Sequence, residues 1–282
     1  MNGKKVTLAF IAAMLLDLLC AWVIKNYFPQ IADNLVLINL ICEATILLPG
    51  LVFVFASGEK FSEFMGFHKI KPGTLFALIP FTMFTTPFIT LLNLITQFFT
   101  ENAAVNMMTD YNMAEMSLGQ MFFSIAVFAP FCEELTCRGV YYRGYKKGIR
   151  AFWAMIVSSL LFGLMHMNIN QAVYAFGMGI LAVLLVEATG SIWSSVIYHG
   201  LVNGSQVILM YIMLKMDSGT YVEAASQQIT TDMLVYSVAV YLVITAICLP
   251  LGWAILVWMG EHQGRPGVLR GIWEDKKIRR KE

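Results

Sequence analysis

The chain has 282 residues, of which 58% are hydrophobic and only 13% are charged, and its formal net charge is +1. Because an average soluble domain carries about 25% charged residues, this composition excludes an ordinary soluble protein and indicates a protein embedded in a membrane. The net charge indicates little about partners; we expect contact with membrane lipid and none with nucleic acid.

Eight apolar runs are predicted to be transmembrane helices, because a hydrocarbon core of roughly 30 Å takes about 20 helical residues to cross. In chain order they cover residues 5–24, 35–56, 74–99, 119–145, 151–168, 171–188, 191–214 and 232–259. The connections after the fifth and sixth runs are short, as between antiparallel neighbours in a bundle. The predicted fold is therefore an all-α, polytopic membrane helical bundle.

Lysine and arginine positions predict the orientation of this bundle, since cytoplasmic loops carry the excess of positive charge. With the N-terminus inside, all of them except Lys25 and Lys215 fall in cytoplasmic segments. We therefore expect both termini in the cytoplasm of a multi-pass cell-membrane protein, with a single transmembrane domain at 1–262. The basic stretch 263–282 is predicted to be a cytoplasmic tail that lies at the interface with anionic lipid. No particular oligomeric state is predicted.

The outer segment 100–119 contains three acids and no lysine or arginine. It predicts either a short amphipathic helix at the membrane interface, with Met108, Met113 and Met116 turned inward, or a plain connector. Both interpretations stay open.

Ionisable side chains inside the predicted helices are few, and each costs on the order of 2.5–3.5 kcal/mol on insertion scales. They are Asp17, Glu43, Glu133, Glu134, Arg138, His166, Glu187 and His199. We expect Asp17 and Glu43 to be structural, because an interhelical hydrogen bond is enough to explain them. Glu187 lies at the cytoplasmic end of the sixth helix and is expected to reach water.

The fourth helix carries two adjacent glutamates in the stretch FCEELTCRG, residues 131–139. Glu134 and Arg138 are four residues apart, so they can pair on one helical face. Glu133 points about 100° away, which leaves it free to act as a base in a low-dielectric site. Pro130 is predicted to kink the helix just before them and to open a pocket.

Two later helices each carry a histidine in a spaced pair. The fifth has Phe162 and His166 in FGLMH, and the seventh has His199 and Asn203 in HGLVN. Residues four apart lie on one helical face, so each pair points toward the same neighbour. These side chains are therefore candidates for a polar site shared with the glutamates.

The seventh helix also contains Gly200 and Gly204, a small-xxx-small pair that lets another helix approach closely. The two glycines therefore leave space near His199 for the polar side chains of a neighbouring helix. At 1.5 Å per residue, however, His199 lies about 13 Å from the inner face and His166 about 22 Å. The two histidines therefore meet only if helix tilt or shifted helix ends make up the difference.

The patterns E-E-x-x-x-R, F-x-x-x-H and H-x-x-x-N, in this order on successive membrane helices, resemble those of the CAAX-protease and bacteriocin-processing family. This family of intramembrane endopeptidases includes the type II CAAX prenyl endopeptidases. The similarity spans about 125–205, within a predicted catalytic core at 119–214. The site residues that the resemblance implies are Glu133, Glu134, Arg138, His166, His199 and Asn203.

The resemblance implies a membrane endopeptidase that cleaves a membrane-associated or lipidated peptide or protein. We expect Glu133 to activate a water that His166 helps to orient. His199 and Asn203 are expected to donate to the tetrahedral oxyanion, while Glu134 and Arg138 support Glu133. A lipidated C-terminal peptide, a peptide pheromone and a bacteriocin leader all suit a cavity between membrane helices.

Zinc-dependent hydrolysis is an alternative mechanism. Two histidines and a carboxylate can hold zinc and leave a position open for water, and here they would be Glu133, His166 and His199. The chain has no H-E-x-x-H helix, and these ligands come from three different helices. The glutamate-activated water is therefore favoured, with no cofactor expected and zinc as the alternative.

Two further alternatives concern the class of protein. A proton-coupled transporter would use Asp17, Glu43, the glutamate pair and both histidines as a relay. Transporters commonly show repeats in their two halves, whereas the polar residues here cluster between 133 and 203. A non-catalytic membrane protein, such as a bacteriocin-immunity factor, would share the ancestry without the activity.

Overall fold

The computed structural model describes residues 3–102, 113, 116–216 and 230–273. Within these ranges every regular element is a helix, and no strand is present. Eight helices are apolar and form the body of the protein. Short helices at Pro29–Ala32, Phe61–Met65 and Arg270–Trp273 join or follow them.

The eight apolar helices occupy the eight predicted positions. They are α1 (Gly3–Tyr27), α2 (Leu35–Ala56), α3 (Pro72–Thr96), α4 (Leu118–Lys146), α5 (Ala151–Met165), α6 (Ile169–Thr189), α7 (Ile192–Met216) and α8 (Thr231–His262). All except the 15-residue α5 are long and apolar enough to cross a membrane. Each begins and ends within three residues of its prediction, so the all-α polytopic bundle is confirmed.

Polar residues directly before four helices determine where those helices begin. The side chains of Asn34, Ser117, Asn168 and Thr230 accept hydrogen bonds from backbone N–H groups in the first turns of α2, α4, α6 and α8. Such N-caps typically stabilise a helix by about 1 kcal/mol. Gly190 ends α6 with a φ of 76°, a left-handed conformation that favours glycine.

Helix α4 is not a regular α-helix. An α-helical segment, Ala129–Glu134, lies between two π-helical segments, Phe122–Phe128 and Leu135–Tyr142. Pro130, for which the sequence predicts a kink, falls in the first turn of the α-helical segment. The paired glutamates occupy its last two positions. π-helical turns occur frequently at functional sites. The irregular geometry of α4 therefore indicates the same stretch of chain as the charged residues Glu133, Glu134 and Arg138 do.

Helix α6 is the most enclosed of the long helices. Of its apolar stretch 72% is buried, against 17% for α8. It packs against α3, α5, α7 and α8, while α4 packs against α2, α5 and α7. The outer helices α1 and α8 carry many exposed large apolar side chains, which suits surfaces that face lipid.

The burial of α6 corrects one expectation. Glu187, predicted to reach water, is only 8% exposed. Its carboxylate instead accepts a hydrogen bond from the Tyr142 hydroxyl at 2.8 Å and forms an ion pair with Lys146. The charge in the central helix is therefore held by side chains of α4.

Two predicted segments are described only in part. Of the outer segment 100–119, Met113 is buried in a small cluster with Leu35 and Met121, whereas Met108 lies outside the described residues. Of the tail, the structure describes residues 263–273. There the Arg265 Nε donates to the carbonyl of Glu187 at 3.2 Å, so the tail begins against the end of α6. The boundary at 262 stays a prediction.

Candidate active site

Glu134 and Arg138 form a buried ion pair on α4. The Nη1 atom of Arg138 lies 2.9 Å from Oε1 of Glu134, and the two side chains are 1% and 0% exposed. The two residues still pair although the helix changes from α-helical to π-helical geometry between them. Because water does not reach either charge, each charge depends on the other for its stabilisation.

His199 lies between the two glutamates. Its Nδ1 is 3.0 Å from Oε1 of Glu134, and its Nε2 is 3.5 Å from Oε2 of Glu133. Oε1 of Glu134 lies within reach of both the Arg138 guanidinium and the His199 ring. The carboxylate of Glu134 is thus held by groups from two helices, which fixes α7 against α4.

Glu133 differs from its neighbour in exposure. Its side chain is 14% exposed, whereas that of Glu134 is 0% exposed. The two adjacent carboxylates therefore have separate surroundings, as their angular separation on the helix predicts. Glu133 is the one that a small molecule such as water can reach.

Phe162 packs against three of the site residues. The guanidinium carbon of Arg138 lies 4.4 Å from the centre of its ring, within the range of a cation–π contact. The rings of His166 and His199 meet the same ring edge-on, with centroids 5.1 and 5.8 Å away. The first residue of the F-x-x-x-H pattern therefore holds both histidines and the arginine in one cluster.

His166 directly follows the last residue of α5. Its Nδ1 lies 2.9 Å from the backbone carbonyl oxygen of Phe162, and since a carbonyl only accepts, Nδ1 carries the proton. That leaves Nε2 able to accept a hydrogen bond. The next residue, Met167, has a φ of 48°, the one positive value for a non-glycine residue in the described ranges. His166 and His199 reach the same Phe162 ring from α5 and α7.

Asn203 contacts the backbone of α4 at a point where the helix lacks a donor. In the first π-helical segment, the N–H of Ala129 bonds to the carbonyl of Ser124. The next bond in this series would run from residue 130 to the Ile125 carbonyl, but Pro130 has no N–H. The Nδ2 of Asn203 donates to the Ile125 carbonyl instead, at 3.0 Å.

Gly200 and Gly204 face the same part of α4. A Cβ atom at Gly200 would lie 2.9 Å from the carbonyl oxygen of Ala126, and one at Gly204 would lie 3.1 Å from the ring of Phe122. The first distance is shorter than real Cβ contacts allow. The small-xxx-small pair thus lets α7 approach the carbonyls of the π-helical segment.

Two buried acids lie outside the motifs. Glu43 is 5% exposed on α2, which packs against the α-helical part of α4 that carries Glu133. Asp17 does fit a structural interpretation, because it accepts a hydrogen bond from Thr45 Oγ1 at 2.9 Å across α1 and α2. Hydropathy marks both acids as unusual but gives no partner for either.

The zinc alternative requires three ligands to converge, and they do not. Within the described ranges, no group of three or more His, Cys, Asp or Glu side chains is placed to hold a metal ion. His199 directs one ring nitrogen to each glutamate, and the Nδ1 of His166 is bonded to a backbone carbonyl. The donor set Glu133, His166 and His199 does not fit a zinc site in this arrangement.

A cavity of about 320 Å³ lies elsewhere, at the basic end of α4. Its lining is charged and includes Arg143, Lys146 and Glu187, but none of the six motif residues. It is therefore separate from the glutamate and histidine cluster.

Comparison with known proteins gives one significant match. Residues 116–205 match the family model described as type II CAAX prenyl endopeptidase Rce1-like. No curated protein and no solved structure matches the chain significantly. The matched segment contains all six motif residues, and the family implies intramembrane protease activity of the CAAX type. The resemblance that the three motifs indicate is therefore confirmed over residues 116–205, and the chain is a multi-pass membrane protein that is similar to type II CAAX prenyl endopeptidases in that segment.

Proposed function

We propose that the protein is an intramembrane endopeptidase in which Glu133 activates the attacking water. The observation that carries this proposal is the contrast between the adjacent carboxylates. Glu134 is fully buried and held by Arg138 and His199, while Glu133 keeps 14% of its side chain exposed. Two carboxyl groups in different surroundings can take different roles, one as a fixed charge and one as a base.

Glu133 accepts a proton from water as that water attacks the scissile carbonyl. A positioned general base contributes roughly 10²–10⁴-fold to such a reaction. The free Nε2 of His166 is oriented by the bond from Nδ1 to the Phe162 carbonyl, so it can accept a hydrogen bond from the same water. The Glu134 carboxylate holds His199, which keeps the imidazole beside Glu133.

The oxyanion of the tetrahedral intermediate needs donors on the other side of the scissile carbonyl. Asn203 has two amide N–H groups, and the Ile125 carbonyl takes only one. The second N–H of Asn203 and the imidazole of His199 serve as donors. Removing one such donor typically costs about 10²–10³ in turnover.

The substrate class that fits is a membrane-associated or lipidated peptide or protein. The basic ends of α4 and of the chain are expected at the cytoplasmic face, where lipid-modified peptide ends are found. The family description favours a prenylated C-terminus as the first probe. A proton-coupled transporter would show no cleavage of such a peptide.

The test uses purified protein in detergent and an internally quenched peptide with a prenylated C-terminal cysteine, beside the same peptide without the prenyl group. We expect the wild type to cleave the prenylated probe faster, and Glu133→Gln to lose at least about 10²-fold in turnover. Glu187→Gln, another buried glutamate outside the site, is the matched control and should remain active.

Wild-type turnover in Glu133→Gln would overturn the assignment of the base. A chelator series on the same preparation covers the zinc alternative. Stoichiometric bound zinc together with loss of cleavage on chelation would replace the glutamate-activated water with a metal-bound one. Cleavage that persists through chelation supports the mechanism proposed above.

A further inference from the structure

The cavity at the basic end of α4 has no part in the cleavage proposed above. Its volume of about 320 Å³ lies in the range of small-ligand sites, roughly 300–1,000 Å³. Four of its eight lining residues are cations and three are carboxylates. The cations therefore outnumber the carboxylates by one, so the chemistry of the cavity depends on how these charges are paired.

Each carboxylate in the lining already has a lysine partner. The ion pairs join Glu59 to Lys147, Glu63 to Lys60 and Glu187 to Lys146.

Arg143 is the fourth cation of the lining, and it forms no ion pair within the described part of the chain. Its Nε is buried and has no hydrogen-bond partner there. Glu187 attracts it electrostatically, but Oε1 of that carboxylate already accepts hydrogen bonds from Tyr142 and Lys146. Arg265 adds a second positive charge nearby. Arg143 thus carries positive charge that the lining does not neutralise.

The backbone of Gly66 holds the guanidinium of Arg143 in place. This glycine follows the short helix Phe61–Met65 with a φ of 76°, a left-handed conformation that favours glycine. A Cβ atom at Gly66 would overlap Nη2 of Arg143. The Gly66 carbonyl accepts a hydrogen bond from the N–H of Ile192 at 3.0 Å, which ties the glycine to the start of α7. The guanidinium is therefore positioned before any ligand arrives, which lowers the cost of binding.

Lys146 and Lys147 flank Arg143 and keep donors available. Their Nζ atoms lie 5.6 Å from the centre of the Tyr142 ring and 4.8 Å from that of the Phe64 ring. Both side chains are exposed by about two-fifths, at 41% and 43%. An ammonium group has three N–H donors, and the ion pair of each lysine uses one oxygen of one carboxylate. Each lysine can therefore also donate to a ligand in the cavity.

A phosphate group fits this set of donors. The planar fork of a guanidinium matches two phosphate oxygens, and ammonium groups bind phosphate as point charges. The basic end of α4 is expected at the cytoplasmic face. Basic pockets between transmembrane helices on that side are typical sites for anionic lipid headgroups.

The surface beside the cavity favours a lipid over free phosphate. The short helix Phe61–Met65, which carries Glu63 and Phe64 of the lining, also stacks Phe61 on Phe55 with ring centroids 5.3 Å apart. Phe55 ends a row of exposed apolar side chains on α2 that also contains Leu48 and Val52. Acyl chains attached to a phosphate in the cavity can lie along this row.

We propose that this cavity binds the phosphate group of an anionic membrane lipid, with Arg143 as the principal donor and Lys146 and Lys147 at its rim. The bound phosphate supplies the negative charge that Arg143 lacks. It also connects the end of α4 to the short helix that follows α2. This site is separate from the glutamate and histidine cluster, so the inference does not depend on the proposed role of Glu133.

The experiment follows thermal unfolding of the full chain, purified in detergent, while dioctanoyl phosphatidylglycerol is added. A ligand that binds only the folded state raises the unfolding temperature as its concentration exceeds Kd, so the titration gives an apparent Kd. In Arg143→Met, Kd should rise by at least about tenfold, because a hydrogen bond to a charged group contributes that much. Arg270→Met is the matched control. Arg270 is exposed and lies outside the cavity, so its Kd should stay within about twofold of the wild type.

Two further titrations distinguish the source of the phosphate. Dioctanoyl phosphatidylcholine has the same phosphate diester with a balancing positive charge, and inorganic phosphate has no acyl chains. Both should bind the wild type more weakly than phosphatidylglycerol does. Equal affinity for phosphatidylcholine would reject selection for an anionic lipid, and inorganic phosphate bound as tightly as phosphatidylglycerol would reject a lipid as the source.

The inference also fails if phosphatidylglycerol leaves wild-type unfolding unchanged, or if it binds Arg143→Met as tightly as the wild type. An equal loss in Arg270→Met would show that only overall charge matters, and would reject the cavity as the site. Should Arg143→Met not fold, Arg143→Lys takes its place. Lysine keeps the charge but lacks the planar fork, so Kd should still rise by at least about threefold.

Discussion

At the scale of single residues, the site depends on Glu134 as much as on the proposed base. Its carboxylate is fully buried and is shared between the guanidinium of Arg138 and the Nδ1 of His199. Arg138 in turn lies over the ring of Phe162, which both histidines also contact. The buried charge of Glu134 thus connects α4, α5 and α7 through these contacts. Replacing any one of the contacting residues is therefore expected to disturb the positions of the others.

Replacing Arg138 by alanine should strongly destabilise the protein. It leaves Glu134 as a buried charge without its guanidinium partner, and breaking a buried pair on one side typically costs about 3–5 kcal/mol. Thermal unfolding in detergent, followed by circular dichroism, measures the loss. The double variant Arg138→Met with Glu134→Gln carries no unpaired charge and should regain much of that stability. A double variant that unfolds as early as Arg138→Ala would contradict the pairing.

At the scale of elements, the irregular geometry of α4 and the H-x-x-x-N pattern on α7 are related through one interhelical hydrogen bond. Pro130 supplies no N–H for the Ile125 carbonyl, and Asn203 provides the missing donor from α7. Gly200 lets the two backbones come close enough for this bond, because any Cβ there would meet the Ala126 carbonyl. The H-x-x-x-N pattern therefore has a structural role in joining α7 to α4, besides the donor role proposed for catalysis.

Restoring an N–H at position 130 should separate these two roles of Asn203. Asn203→Ala is expected to cost about 1 kcal/mol of stability, since interhelical hydrogen bonds in membranes contribute about that much, and also to lower turnover. In Pro130→Ala with Asn203→Ala, the new N–H can bond to the Ile125 carbonyl. Stability should return while turnover stays low. Full recovery of turnover in the double variant would assign Asn203 a purely structural role.

At the scale of the whole molecule, the bundle gathers basic residues at one end and exposes apolar side chains around its sides. The basic end of α4 lies beside the ends of α1 and α5, and the start of the tail packs against α5 and α6. The motif residues lie between α4, α5 and α7, where His199 contacts both glutamates and shares the Phe162 ring with His166.

The orientation of the bundle is a prediction that reporter fusions can test. Excess lysine and arginine should keep both termini in the cytoplasm. A fluorescent protein fused to either terminus should fluoresce, since it folds in the cytoplasm, and alkaline phosphatase fused after residue 102 should be active outside. Phosphatase activity from a fusion at the C-terminus would show that the number of crossings is odd.

The positions of the helices were predictable from the sequence alone, because lipid cannot hydrogen-bond to the backbone and so forces long apolar runs into helices. The pairing of Glu134 with Arg138 was equally predictable, since both lie on one helical face. Only the tertiary structure decided which groups meet across helices. It placed His166 and His199 against the same Phe162 ring, enclosed Glu187 because α6 is central, and packed α2 against α4. These contacts join residues that are distant along the chain, and they depend on how whole helices pack, which local hydropathy and spacing do not determine.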